Sequence, residues 1–152
     1  MHPTILALDL EGTLISNAVS QIPRPGLDSF LRHAHSRFSS LVMFTTVDES
    51  TFRRIAKLLV KEGHAPAWFG ELEHTTWSGS TKDLRAVAPI LGQALLLDDY
   101  EGYVHPGQKK WWVEAPHFGF PYLDTDQGLL EATRRIERRL ASADLFSGRG
   151  HQ

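Results

Sequence analysis

Three short, almost uninterrupted apolar runs constrain this chain most. Thr4–Leu10 (TILALDL), Leu41–Thr45 (LVMFT) and Ala94–Leu97 (ALLL) are too short for buried helices and lack the alternation of half-exposed strands. Runs of this kind are strands buried on both faces, the habit of parallel sheets. Amphipathic stretches alternate with them. Leu27, Phe30, Leu31 and Ala34 predict a helix over 27–37 with Pro25 just ahead of it. Phe52, Ile55, Ala56, Leu58, Leu59 and Val60 predict a second, opened by the capping run Asp48-Glu49-Ser50-Thr51 and ended by Gly63. Leu129, Leu130, Ile136 and Leu140 predict a closing helix over 128–140. Weaker signals suggest strands at 67–69, 72–77 and 111–113 and a short helix or loop at 82–87. The alternation gives an α/β fold with a mostly parallel central sheet covered on both faces.

No repeat or linker divides the 152 residues, which suit one domain, expected over 1–143 with a frayed tail at 144–152. The formal net charge of -2 gives no basic field for nucleic acid or an anionic membrane. Arg134, Arg135, Arg138 and Arg139 read as the solvated face of a helix. The chain has no cysteine, which removes disulfides, thiolate metal sites and cysteine catalysis together. Without a membrane-length apolar stretch or a signal-peptide pattern at Met1-His2-Pro3, a soluble cytoplasmic protein is expected. No Gly-x-Gly-x-x-Gly or Walker loop supports nucleotide binding of those kinds. The histidines His33, His35, His64, His74, His105 and His117 match no zinc spacing and read as isolated residues, with His105 the one placed to border a site near Asp98-Asp99. Trp111-Trp112 and the Phe118, Phe120, Tyr122 cluster read as edge packing.

The polar residues at the strand ends carry the chemistry. Asp9 closes the first run, Thr45 the second and Asp98-Asp99 the third, and Lys82 precedes the third by one connection. In an open parallel sheet these ends share one edge, where crevices form. Asp9, Glu11, Asp98 and Asp99 gathered there would repel one another and raise their pKa values. A divalent cation relieves this, and magnesium, which takes one or two carboxylates plus substrate phosphate, suits the set. Lys82 adds positive charge where a phosphoryl group would enter.

In this order the motifs resemble those of the haloacid dehalogenase (HAD) superfamily. Asp9-Leu10-Glu11-Gly12-Thr13-Leu14 resembles the first motif, Asp-x-Asp-Gly-Thr-Leu, and Phe44-Thr45-Thr46 resembles the second. Lys82 in Thr81-Lys82-Asp83-Leu84 resembles the third, and Leu96-Leu97-Asp98-Asp99 the fourth. Two capless groups are nearest: the NLI-interacting-factor-like phosphatases, which act on phosphoserine in proteins, and the small magnesium-dependent phosphatases. The resemblance implies a three-layer Rossmann-like core and a magnesium-dependent phosphohydrolase working through an aspartyl-phosphate on Asp9. It implies that Asp9, the Glu11 carbonyl and an acid of the Asp98-Asp99 pair hold the metal, with Asp99 favoured as the direct ligand. Thr45 would donate to a phosphate oxygen, with Thr46 its rival, and Lys82 would pair with phosphate and Asp9. Gly12 and Thr13 would shape a turn whose amides face the phosphate.

Glu11 departs from the family, which usually has Asp there as general acid and base. A displacement of ~1 Å can cost ~100-fold, so an alternative is a weak or inactive HAD-like module that binds a phosphorylated or protein partner. A signalling receiver domain uses similar residues, but in another order. The gaps between motifs leave no room for a large cap domain. An open site cannot seal a small substrate from water, which favours a bulky phosphorylated substrate such as a phosphoprotein.

Overall fold

The computed structural model describes residues 2–149, and their side-chain surroundings through Ala143. Five strands form one all-parallel sheet: β1 (Ile5–Leu8), β2 (Ser40–Met43), β3 (Glu73–His74), β4 (Ala94–Asp98) and β5 (Trp112–Glu114), in the order β3-β2-β1-β4-β5. Three α-helices accompany them among the described residues: α1 (Leu27–Arg37), α2 (Glu49–Lys61) and α3 (Gly128–Arg149). The parallel sheet is the one the apolar runs predict, and the compact Rossmann-like core without a cap is the one that the family resemblance and the motif spacing imply.

Register explains how the fold gathers polar residues. Leu8 lies opposite Met43 on one side and Leu97 on the other. The next residues along each strand, Asp9, Phe44-Thr45 and Asp98-Asp99, therefore emerge on one edge of the sheet. From β1 the chain winds outward through β2 to β3, then crosses back to β4 and β5. The reversal falls between β1 and β4, the place where an open α/β sheet forms its ligand crevice.

The two faces of the sheet are covered differently. Leu6, Leu8, Leu41, Met43, Leu95, Leu97 and Val113 share one apolar cluster with buried residues of all three α-helices, among them Leu31, Phe52 and Ile136. Ala7, Val42, Phe44, Leu96 and Trp112 share another with Leu84, Ala88, Trp77 and Val104, from short turns and loops. Both faces are buried, as the unbroken apolar runs require, but only one is helical.

Several elements differ from expectation. Residues 67–69 belong to a 3-10 helix, Ala67–Glu71, rather than a strand. Only Phe69 of that helix is buried, and its amide donates to Pro66 O at 2.9 Å, so a turn satisfies it. The strand expected over 72–77 contracts to Glu73–His74. Residues 82–87 contain a 3-10 turn, Leu84–Ala86, capped by Asp83, whose carboxylate accepts from the Arg85 amide. The closing helix runs past Leu140 to Arg149, and residues 150–152 of the expected frayed tail lie outside the described residues.

The arginine face of α3 also divides. Arg134 and Arg138 pair with Glu131 on the surface. Arg135 donates to the carbonyl of Glu114, and Arg139 to those of Lys110 and Trp112. β5 is an edge strand, and these guanidinium groups cover carbonyls of it and of the 3-10 turn just before it.

Residues 15–25 form a small flap, not a cap. Ile15 bridges Pro23, Ser16 N donates to Ile22 O, and Arg24 N donates to Leu14 O. Among the described residues no helix is long and apolar enough to cross a membrane.

Candidate active site

The loop after β1 is built to return on itself. Leu14 and Ile15 amides both donate to Leu10 O, at 2.9 and 3.1 Å, closing the turn around Gly12. Gly12 has φ +74°, and a Cβ there would lie 2.7 Å from Asp99 Oδ2, so close approach and backbone conformation both demand glycine. The Gly12 amide donates to Ile15 O and the Thr13 amide to Leu10 O. Gly12 and Thr13 thus shape the turn, and tightening it occupies their own amides.

Thr13 serves the site through its hydroxyl instead. Its Oγ1 lies 2.8 Å from Asp9 Oδ2 and 3.0 Å from Asp99 Oδ1, and the side chain is fully buried. Lys82 completes the floor, its ammonium donating to Asp9 Oδ1 at 3.0 Å and to Asp98 Oδ2 at 2.5 Å. It arrives from the loop-covered face, where its amide donates to Tyr103 O and its ammonium lies 4.8 Å from the Tyr103 ring centre. Asp98 has its second oxygen occupied by the Tyr100 amide at 2.9 Å. Its backbone carbonyl accepts from both the Trp112 indole and the Ala115 amide. Lys82 and Asp98 are fully buried, and Asp9 is 4% exposed.

Ligand atoms of Asp9, Asp98 and Asp99 all lie within 4.8 Å of one another. Burial drives the Asp9 carboxyl well above its usual range; Lys82 offsets this only in part, and the neighbouring carboxylates push the same way. Burial likewise raises Asp98, against the pull of Lys82. For Asp99, burial is outweighed by the neighbouring Asp9, His117 and Thr13 groups, and its pKa is lowered. For Lys82, burial is outweighed by Asp9 and Asp98, so its pKa rises. Three carboxylates against one ammonium leave the cluster short of positive charge. That donor set fits a hard divalent cation.

A cleft of about 410 Å³ opens above the floor, lined by Asp9, Glu11, Thr46, Asp99, Tyr100, Tyr103 and His117. Glu11 lines it, but its Oε2 accepts from the Ala18 amide of the flap at 2.7 Å. Thr45 is buried, and its hydroxyl oxygen accepts from the Val47 amide at 3.1 Å, which leaves the hydroxyl proton available. It faces a neighbouring cleft of about 390 Å³ that Thr46 also lines. The fold therefore joins Asp9, Thr13, Lys82, Asp98 and Asp99 in one network. Glu11 and Thr46 sit at its rim, and Thr45 lies beside it.

Two residues of the site went unnoticed in the sequence. His117, not His105, borders the cleft, with Nδ1 2.6 Å from Asp99 Oδ2. His105 is occupied behind the Lys82 segment by Thr81 and Asp83. The hint was that His117 follows the last strand and so must return near the same sheet edge. Arg24 is the other. Its fully buried side chain donates to Thr13 O at 3.0 Å, pairs with Asp126 at 2.7 Å, and lies over the Phe118 ring. It braces the motif loop from below, and only glycine at 128 leaves it room. A lone arginine between two prolines carries no sequence signal for that role.

A search among curated proteins found no match. The family model for NLI interacting factor-like phosphatases matches residues 4–146, nearly the whole described fold and every residue of the network above. The chain belongs to the NLI interacting factor-like phosphatase family, within the HAD superfamily.

Proposed function

We propose that this protein is a magnesium-dependent phosphohydrolase that cleaves phosphomonoesters through an aspartyl-phosphate on Asp9. The observation that carries the reading is the position of Asp9: at the reversal point of the sheet, under an open cleft, with one oxygen held by Lys82 and the other by Thr13. Those two donors orient the carboxylate for attack. An Asp9 oxygen would bond to phosphorus as the ester P–O bond breaks, and the departing oxygen would take a proton from the Glu11 carboxyl. Glu11 would then accept a proton from water as that water displaces phosphate and restores Asp9. The Lys82 ammonium would balance charge on the phosphoryl oxygens, and the free Thr45 or Thr46 hydroxyl proton would bind one of them.

Asp9, Asp99 and the Glu11 carbonyl are the groups suited to hold magnesium, since Asp9, Glu11 and Asp99 line the open cleft whereas Asp98 is fully buried beneath it against Lys82 and the Tyr100 amide. When bound, the ion supplies charge stabilisation for the phosphoryl group and keeps Asp9 ionised. The open cleft, flanked by Tyr100 and Tyr103 and overhung by no cap, suits a phosphorylated side chain on a protein better than a small metabolite. We place this activity in the cytoplasm, in keeping with a cysteine-free chain, and assign no role for nucleic acid or membranes.

One observation favours a second reading, a weak or silent module that binds a phosphorylated or protein partner: the Glu11 carboxylate is held by the flap. Phenol release from an aryl phosphate separates the two. Magnesium-dependent turnover that EDTA removes and Asp9→Asn lowers by at least about 10,000-fold is the expected result. Turnover that survives Asp9→Asn would sink the nucleophile assignment, and a wild type that binds magnesium without turnover would support the second reading.

A further inference from the structure

We propose that His117 is a positioning residue for the cation site, holding the Asp99 carboxylate in the orientation in which it takes the metal. The proposal rests on the reading of Asp99 as a metal ligand given above. Its ground is how His117 is placed.

Each oxygen of the Asp99 carboxylate has a partner: Thr13 Oγ1, whose one proton is shared with Asp9, lies 3.0 Å from Oδ1, and His117 Nδ1 lies 2.6 Å from Oδ2. His117 is thus the side-chain donor that serves Asp99 and not Asp9, and it limits rotation of that carboxylate. With a carboxylate as partner, Nδ1 is the nitrogen that carries the proton. Histidine and carboxylate thus form the kind of outer pair that orients a metal ligand and raises its basicity.

The ring occupies a slot left by two glycines. A Cβ on Gly12 would lie 3.0 Å from Nδ1, and one on Gly119 would lie 2.8 Å from Nε2. The segment bearing it is pinned at both ends. The Ala115 amide donates to Asp98 O at 3.0 Å, and the Phe118 amide donates to Gly12 O at 2.8 Å. The buried Phe118 ring in turn lies against Arg24. The backbone therefore fixes His117 relative to both the β4 end and the motif loop.

Packing does not explain this. The His117 side chain is 66% exposed, so it adds little to the core, and among the described residues its polar partner is Asp99. An exposed ring held in a glycine slot against a carboxylate of a crowded acid cluster is placed for that carboxylate.

Calorimetric titration of the metal-free protein with magnesium or manganese tests it, with wild type, His117→Ala and His117→Asn, whose amide can reproduce the Nδ1–H donor. His117→Ala is expected to weaken cation binding about 10- to 100-fold while the thermal midpoint of the metal-free protein stays near wild type. His117→Asn should recover most of the loss. Wild-type affinity in His117→Ala, or no recovery in His117→Asn, would overturn the proposal and leave the phosphatase reading standing. A wild type that binds neither cation would overturn both, and parallel loss in Asp99→Asn marks Asp99 as the ligand concerned.

Discussion

The floor of the site and its rim are held by different physics. On the floor, Asp9, Thr13, Lys82 and Asp98 are buried, each in at least two polar contacts, with Asp9 and Asp98 at strand ends whose register is set by the sheet and Thr13 and Lys82 brought to them by loops. At the rim, Glu11, Thr46, Tyr100 and His117 are partly or largely exposed and ride on loops. Charges buried on the floor are costly if unpaired, so they interlock and tolerate little change. Rim contacts are single bonds in competition with water, each contributing about 1 kcal/mol. The floor therefore ties folding to chemistry, whereas the rim can vary without endangering the fold.

Breaking the floor should have the largest effect. Lys82→Met leaves two buried carboxylates without their cation and should cost about 3–5 kcal/mol of stability in urea unfolding. Adding Asp98→Leu should return part of that stability while leaving the protein inactive, since a buried pair is replaced by apolar volume. If Lys82→Met unfolds like wild type, the floor is not the interlocked unit described.

Arg24–Asp126 is the next brace. Burial pushes the Asp126 carboxyl up, but its bond to Arg24 outweighs this and holds it below the ordinary range. A carboxylate with a lowered folded pKa stabilises above its unfolded value, near pH ~3.9, and that stability is lost as pH falls through the lower folded value. Asp126→Asn should cost on the order of 3 kcal/mol at neutral pH, because Arg24 stays buried without its countercharge. It should also flatten the stability curve between pH 5 and 3, where roughly the first part of that loss is expected. An unchanged acid limb in urea midpoints would show that Arg24 holds the loop without Asp126.

The rim should respond in the opposite sense. Glu11→Asp shortens the side chain by one methylene, gives up the Ala18 bond, and should lower stability by no more than about 1 kcal/mol. It frees a carboxyl at the position proposed for the general acid, and turnover of an aryl phosphate should rise by about 10- to 100-fold. A fall in turnover would mean that Glu11 already acts from its bond to the flap, which sharpens the contrast rather than removing it.

The legible part of the site coincides with the floor. Asp9 and Asp98 follow apolar runs that can only be buried strands, and Gly12 and Thr13 follow at a fixed spacing, so sequence order alone brings them to one edge. Lys82 was legible from its motif, although its full burial was not. The rim was less legible. Glu11 could be flagged as a departure, but its bond to Ala18 depends on how the flap folds back. His117 and Arg24 lie 108 and 15 residues from Asp9 in sequence, and nothing local marks either as part of the site.

What the sequence determined by itself was the parallel sheet, its order of strand ends and the acids and lysine placed on them. Apolar runs must be buried, and the register of neighbouring strands leaves the residues that follow no other edge. Only the tertiary structure decided which carboxylate oxygen each donor takes, that the helices all share one face, and that Arg24 and His117 close on the motif loop from distant segments. Those choices rest on contacts between side chains far apart in the chain. Such contacts form only once the core has fixed where the loops must run.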